Sequence, residues 1–448
     1  MTPIFKKGAK SDPANYRPVS LTSVCCKLLE SIIKDKLMWH LEVNNSIFPS
    51  QHGFMPGRSC TTNLLEFFEY VTATVDGGDP VDIIFLDFAK AFDKVPRDPL
   101  VAKLKALGVS GQVLEWITNW LTGREQRVVL NGQASPWAVV DSGFPQGSIL
   151  GPVLFVIHIN DIDLVLYLID IVKKFADDTK IGHKVATPEQ RQMLQDALDS
   201  LVTWANDWGM QFNVSKCKVM HLGNSNPKNV YKMAGVPLAV TTEEKDVGVL
   251  VSNNLKPSAQ CAKAAKTAAM VLGQLARAFH FRDRNIFVNL YKQYVRPHLE
   301  FACPAWSPLT EADKETLEKV QKRAIKMVSG LAGSTYKDRL AELGMITLAE
   351  RRHQADMVKV FKIVNGFDRV DSKTWFNHVN PGNIITQNAA DPLNIAKPRG
   401  RLELRLNFFS LRVVDSWNNI SADIKRARSV LAFKKEYRKL RLSDTQSS

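Results

Sequence analysis

The chain holds 448 residues, room for two to four domains at ~100–200 residues each and for an ample buried core. Apolar residues make up 45% and charged residues 23%, an ordinary globular balance that excludes disorder across the whole chain. The net charge of +14 is uneven: residues 1–260 carry 26 Lys and Arg against 27 Asp and Glu, and residues 261–448 carry 33 against 18, an asymmetry that suits a polyanion such as nucleic acid as well as it suits plain solubility.

Residues 1–80 combine a basic start with an apolar, helix-like stretch from Leu28 to Leu41. Val81 to Leu86, VDIIFL, reads as a short buried strand that ends at Asp87. A helical pattern runs from Pro99 to Leu121. Ser142 to Asn160 is uncharged for 19 residues, but its prolines, glycines, Gln146 and His158 make it a glycine-rich turn feeding a buried helix rather than a membrane span. Leu164 to Val185 reads as strand, turn, strand, with Asp177 and Asp178 in the turn. A helix follows, with Thr187 as N-cap, Pro188 in its first turn, Gln190 closing a capping box, and an apolar face of Met193, Ala197, Leu201, Trp204 and Trp208. Strands are expected over 212–222 and 246–251, and helices over 258–280, 285–300, 311–330 and 421–442. The region 367–400 is irregular, so the order is mixed α/β first and all-helical last.

Six cysteines, two of them the neighbours Cys25 and Cys26, exclude a disulfide scaffold. No C-x-x-C occurs and the histidines lack zinc-motif spacing, so no zinc is expected. The start, MTPIFKKGAK, lacks the apolar core of a signal peptide. An intracellular protein with reduced thiols is expected, nucleus or cytoplasm being left open.

Three acids stand at strand ends or turns: Asp87, Asp177 and Asp178. Adjacent carboxylates repel unless a cation lies between them, and an all-oxygen ligand set favours Mg²⁺. Two such ions suit in-line phosphoryl transfer. Taken by itself, an Asp pair in a turn is more often ordinary turn chemistry.

The pair has company. In order come PIFKKG at 3–8, NYRPVSL at 15–21, QHGFMPGRS at 51–59, FLDFAKAFDKVP at 85–96, SGFPQGSILGPVLF at 142–155, FADDTK at 175–180 and WGMQFNVSKCKVM at 208–220. This series closely resembles the reverse transcriptase of non-LTR (LINE-type), jockey-like retrotransposons. LYKQYVRPHLEFACPAWSP at 290–308 and LEKVQKRAIKMVSG at 317–330 resemble that family's thumb, and residues 411–437 its C-terminal region.

The resemblance implies an α+β right-hand polymerase: fingers over 1–80, a palm over 81–256, a helical thumb over 257–335 and a basic C-terminal region over 336–448. It assigns Asp87, Asp177 and Asp178 to two catalytic Mg²⁺ ions. Arg17 and Lys7 (or Lys6) would meet the incoming nucleotide and its triphosphate. Gln146 and Gly147 would lie near its base and sugar, Phe92 would block a 2′-hydroxyl, and Lys216 would protonate pyrophosphate. Each residue has a plainer alternative: a surface ion pair for Arg17, a turn for Gly147, core packing for Phe92 and a solvated strand edge for Lys216. Arg58 either contacts template or caps a loop. Met55 stands where the family often has arginine.

The expected function is RNA-directed DNA polymerisation: deoxynucleotides added to a DNA primer on an RNA template, with no membrane partner. The chain opens almost at the first fingers motif, so an N-terminally truncated copy lacking the family's endonuclease domain is expected. The alternatives are a catalytically impaired relic that only binds RNA, and a different right-hand polymerase such as a group II intron maturase. FADDTK, PQGSILGP and the C-terminal half argue against the second.

Overall fold

The computed structural model describes residues 1–6, 8–377 and 391–446. Lys7 therefore lies outside the described residues, as does part of the irregular region expected over 367–400. By contacts the chain forms two compact units. One is Met1–Met55, Asp82–Val219 and Pro227–Val240, and the other is Pro56–Val81, Met220–Asn226 and Thr241–Ser448. The architecture is mixed helix and sheet.

Strand β1 (Thr2–Phe5) pairs antiparallel with β2 (Tyr16–Val19). Helix α1 (Val24–Val43) starts at Ser23, whose hydroxyl accepts from the Cys26 N–H, and runs past both ends of its expected apolar stretch. Helix α2 (Cys60–Gly77) opens with a Ser59–Thr62 capping box. Strand β3 (Val81–Leu86) is buried almost throughout, as its unbroken apolar run requires of a central strand. After α3 (Ala91–Lys94), the helix expected over 99–121 is two helices, α4 (Arg97–Ala106) and α5 (Gly111–Leu121), because the chain turns at Gly108. Four short strands, β4 (Arg124–Gln126), β5 (Val129–Leu130), β6 (Gln133–Ala134) and β7 (Ala138–Val140), make an exposed ribbon. Helix α6 (Gly151–His158) is buried on all sides, which accounts for the long uncharged stretch.

Strands β8 (Ile171–Phe175) and β9 (Asp178–Lys184) form the expected hairpin. Helix α7 (Pro188–Asp207) has the Thr187–Gln190 capping box read from the sequence. Its buried face differs in part: Leu194 and Leu198 point inward and Met193 is exposed. The strand expected from 212 begins only at β10 (Lys218–Leu222), because the Asn213 carbonyl accepts from the N–H groups of Lys216 and Cys217 and makes a turn of the first half. Short strands β11 (Lys232–Met233), β12 (Val236–Pro237) and β13 (Ala239–Val240) follow, and the strand expected at 246–251 is a hairpin of β14 (Glu243–Asp246) and β15 (Val249–Ser252). The main sheet has the order β13-β10-β3-β9-β8.

In the first unit, helices pack on this sheet through one continuous core. Ile33, Leu37 and Leu41 of α1, Leu100 and Leu104 of α4, Phe155 of α6 and Leu201 of α7 meet Ile84 of β3 and Ile181 of β9. At roughly 1.5–3 kcal/mol per fully buried large apolar side chain, this layer dominates the unit's stability.

The second unit is helical: α8 (Ser258–Ala278), α9 (Arg284–Leu290), a π turn (Tyr291–Val295), α10 (Arg296–Glu300), α11 (Cys303–Trp306), α12 (Glu311–Lys326), α13 (Tyr336–Glu342), α14 (Leu348–Val364), four short helices α15 (Glu403–Leu406), α16 (Phe409–Arg412), α17 (Val414–Asn418) and α18 (Ala422–Lys425), and α19 (Val430–Gln446). The helices expected over 285–300 and 421–442 are thus divided. Phe361 of α14 stacks on Phe433 of α19 at 4.3 Å between ring centroids, with Trp417 and Tyr437 against the same ring. Many cations of this unit are held inside it: Arg405 on Glu69, Arg412 on Asp356, Lys359 and Lys362 on Asp368, and Lys425 among Asp391, Asn394 and Asn418. Among the described residues no helix is long and apolar enough to cross a membrane.

Candidate active site

Asp87 emerges where β3 ends. Its position is set by the turn at 213–217. The Asp87 carbonyl accepts from the Asn213 N–H at 2.7 Å, and its own N–H points at the Cys217 sulfur at 3.5 Å. The same turn delivers Lys216, whose Nζ lies 3.3 Å from Asp87 Oδ1. Both side chains are well exposed, so this ion pair contributes little stability.

Asp177 sits in the two-residue turn between β8 and β9, after Ala176, whose φ of 56° is left-handed. The turn is clamped from outside. Gln51 Oε1 accepts from the Ala176 N–H at 3.0 Å and from the Gly53 N–H at 2.8 Å. Ser50 and His52 bond to the backbone of Lys174 beside it. Gly53 is packed so closely that a Cβ there would lie 2.3 Å from the Ala176 nitrogen, so no other residue fits without moving the turn. The conspicuous motif at 51–59 thus supports the Asp177 turn from a distant part of the chain.

Asp177 is half-buried, and its carboxyl stands above the ordinary carboxylate value. Burial is the main cause, its own backbone N–H opposes it, and the charge of Asp87 adds to it, while Arg17 and Lys216 pull it down. Asp87, Asp177, Arg17 and Lys216 therefore share one electrostatic neighbourhood. Asp178 begins β9 next to them, with its side chain exposed. Arg17, on β2, is exposed.

A second cluster surrounds the loop before α6. Gln146 Nε2 donates to Asp93 Oδ1 at 3.0 Å, and its carbonyl accepts from the Ser20 N–H at 2.8 Å. Gly147 has a φ of +107°, which glycine adopts without strain. Phe92 is half-buried and stacks on Phe155 at 4.4 Å, and its carbonyl accepts from the Phe144 N–H. The ring thus packs against the core through Phe155 and is in part exposed. Glu30, fully buried on α1, accepts from the N–H groups of Ile149 and Leu150 and so fixes the loop. Gln146 and Asp93 open onto a groove of about 810 Å³ that Lys90, Lys94, Arg127 and Trp137 also line.

Sequence reasoning missed Gln51, Gly53 and Glu30 as supports, because each acts on backbone far away in the chain. Arg58 donates through Nε to the Arg369 carbonyl, a structural use of that side chain.

The donor set fits a hard divalent cation: three carboxylates, two of them electrostatically coupled. As the side chains stand, no group of three His, Cys, Asp or Glu among the described residues converges as a metal cage, and the Lys216 ammonium holds the cation position at Asp87.

Residues 4–266 match the family model described as reverse transcriptase (RNA-dependent DNA polymerase). Among curated proteins the chain is similar to a probable RNA-directed DNA polymerase from transposon X-element of Drosophila melanogaster, 25% identical over 337 residues, covering 73% of this chain and 37% of the relative. It is also similar to the RNA-directed DNA polymerase from mobile element jockey of Drosophila funebris, 26% identical over 339 residues, covering 73% and 37%. The chain thus spans little more than a third of these relatives. Of solved structures, apo telomerase from Candida tropicalis matches with 12% identity, 70% of this chain, 52% of that one and a TM-score of 0.41, which adds nothing to the family match.

Proposed function

This chain belongs to the reverse transcriptase (RNA-dependent DNA polymerase) family, and from that premise we propose that it extends a DNA 3′-end on an RNA template with deoxynucleoside triphosphates. The observation that carries the reading is the convergence of Asp87 and Asp177, from two neighbouring strands of the sheet, with Lys216 and Arg17 beside them. In this reading the fingers are about 1–80, the palm 81–256, the thumb 257–335, and the basic region follows. The setting is intracellular.

Asp87, Asp177 and Asp178 would hold two Mg²⁺ ions, which lower the pKa of the attacking 3′-hydroxyl and stabilise the leaving pyrophosphate. The chain's own residues do the rest. Arg17 meets the incoming nucleotide. Gln146 and Gly147 border its base and sugar, with Gln146 oriented by Asp93. Phe92, braced by its stack on Phe155, occupies the space of a 2′-hydroxyl and rejects ribonucleotides by clash. Lys216, exposed and tied only to Asp87 among the pairs described, gives a proton to pyrophosphate in this reading.

The test is primer extension on primed RNA with purified protein, Mg²⁺ and deoxynucleotides. Template-dependent extension is expected. Tight binding of the primed RNA with no extension under any divalent ion would replace this reading with that of an RNA-binding relic.

A further inference from the structure

Helix α1 is apolar on both of its sides. Its inner side buries Ile33, Leu37, Met38 and Leu41 in the core of the first unit. A surface helix of that kind carries polar residues on its outer side. Helix α7, of the same length and in the same unit, does so: its exposed positions include Gln192, Asp196, Asp199, Thr203 and Asp207, with Met193 as the one large apolar residue among them. On α1 the proportion is reversed. Nine of its positions are exposed, and six of these are Val24, Leu28, Leu29, Ile32, Trp39 and Val43. Ile32 is 61% exposed and Trp39 64%.

At 3.6 residues per turn the six fall within an arc of about 140° along some 28 Å of helix. Single apolar residues scattered over a surface are ordinary. A continuous stripe of several hundred Å² marks an interaction site, and it approaches the ~800 Å² per partner that a standard interface buries.

The stripe is also self-complementary. Its exposed charges are Asp35 and Lys36, side by side near its middle. In an antiparallel pair of α1 helices related by a twofold axis between these two residues, Asp35 of each copy faces Lys36 of the other. Ile32 then faces Trp39 and Leu28 faces Val43, each pair being equidistant from the axis. Every apolar position meets an apolar one, and the two charges meet with opposite sign, which is the pattern of an isologous contact. A partner of single sign would match one of the two charges and oppose the other. Asp35 lies 3.2 Å from Lys34 of its own helix, a partly exposed pair that contributes little and does not compete strongly.

We infer that two copies of this chain associate through the outer sides of α1, antiparallel, with Ile32 and Trp39 central to the contact. The inference does not rest on the polymerase reading. It touches that reading through Glu30 on the inner side of α1, which accepts from the Ile149 and Leu150 N–H groups and so fixes the loop after Gln146. The partner helix backs the helix that holds this loop.

The experiment is sedimentation equilibrium of the full chain over a concentration series. A dimer at micromolar concentration is expected. The positions to be changed are exposed in the single chain, so none of the variants should unfold it. Ile32→Gln removes an apolar contact that the twofold axis makes twice, and should weaken the dimer roughly 10²-fold or more. Lys36→Asp sets acid against acid and should weaken it at least about tenfold. The double variant Asp35→Lys/Lys36→Asp exchanges the charges and should restore the wild-type affinity. Leu431→Gln, on an exposed position of α19, should leave it unchanged. A wild type that stays monomeric at tens of micromolar would overturn the inference and leave the stripe to a different partner. So would a dimer indifferent to Ile32→Gln and Lys36→Asp, a double variant that fails to recover, or association that Leu431→Gln weakens as much as Ile32→Gln does.

Discussion

The Asp177 turn and the C-terminal helices treat charge in opposite ways. At the turn, like charges are brought together: Asp87 raises the carboxyl of Asp177, and the only opposing cations described are the exposed Arg17 and Lys216. The geometry is held by neutral groups instead, the Gln51 amide and the close approach of Gly53. In the C-terminal helices, several cations are each matched with an acid, as Arg405 with Glu69 and Arg412 with Asp356, and serve as internal ties. An unbalanced cluster held by neutral supports is the mark of a site awaiting a ligand. A balanced one is structure. Net charge counted along the sequence does not separate the two.

The comparison is broken most severely by removing an internal tie. Arg405→Ala leaves Glu69 buried without its partner and should cost about 3–5 kcal/mol in urea unfolding. It should leave the salt slope of RNA binding unchanged. A slope change with no loss of stability would place Arg405 among ligand-binding cations.

Next comes the clamp. Gly53→Ala pushes against the backbone of Ala176, and a shift of the turn by about 1 Å should lower extension ~10²-fold. RNA binding should persist. Normal extension would show that the turn tolerates displacement and that Gly53 is not its support.

Phe92→Val separates gate from core. The variant loses its stack on Phe155, so some stability should go, but the folded protein should still use deoxynucleotides and gain ribonucleotide incorporation. Folded, active protein that still excludes ribonucleotides would move selection to Gln146.

The smallest effect is the cost of crowding itself. Asp177 holds its proton more tightly folded than unfolded, so its ionisation weakens the fold. The penalty is absent below the ordinary value of 3.8, sets in as pH rises through it, and is complete above the raised folded value. Asp177→Asn should therefore raise the Tm slightly at about pH 7 in metal-free buffer and leave it unchanged at about pH 3. A lower Tm at neutral pH would mean that the carboxylate is a tie, like those of the C-terminal helices.

Local signals are legible in the sequence. Thr187, Pro188 and Gln190 lie within one helical turn and announce α7 unaided. The run VDIIFL announces β3 and puts Asp87 at its end. What is illegible is long-range. Gln51 reaches Ala176 across 125 residues, and Arg405 reaches Glu69 across 336. Nothing in a motif states such a partner. The strand expected from Phe212 fails for a related reason: Asn213 turns the chain by local carbonyl bonds, and β-prone neighbours do not reveal it. The basic back half reads as a nucleic-acid grip by its net charge alone, and that count does not show that Arg405, Arg412 and Lys425 are internal ties to acids.

The most direct measurement compares wild type with Asp177→Asn in parallel assays of primer extension and primed-RNA binding. The account predicts that extension falls to background while binding keeps its affinity and salt dependence. Extension by Asp177→Asn at the wild-type rate would contradict it.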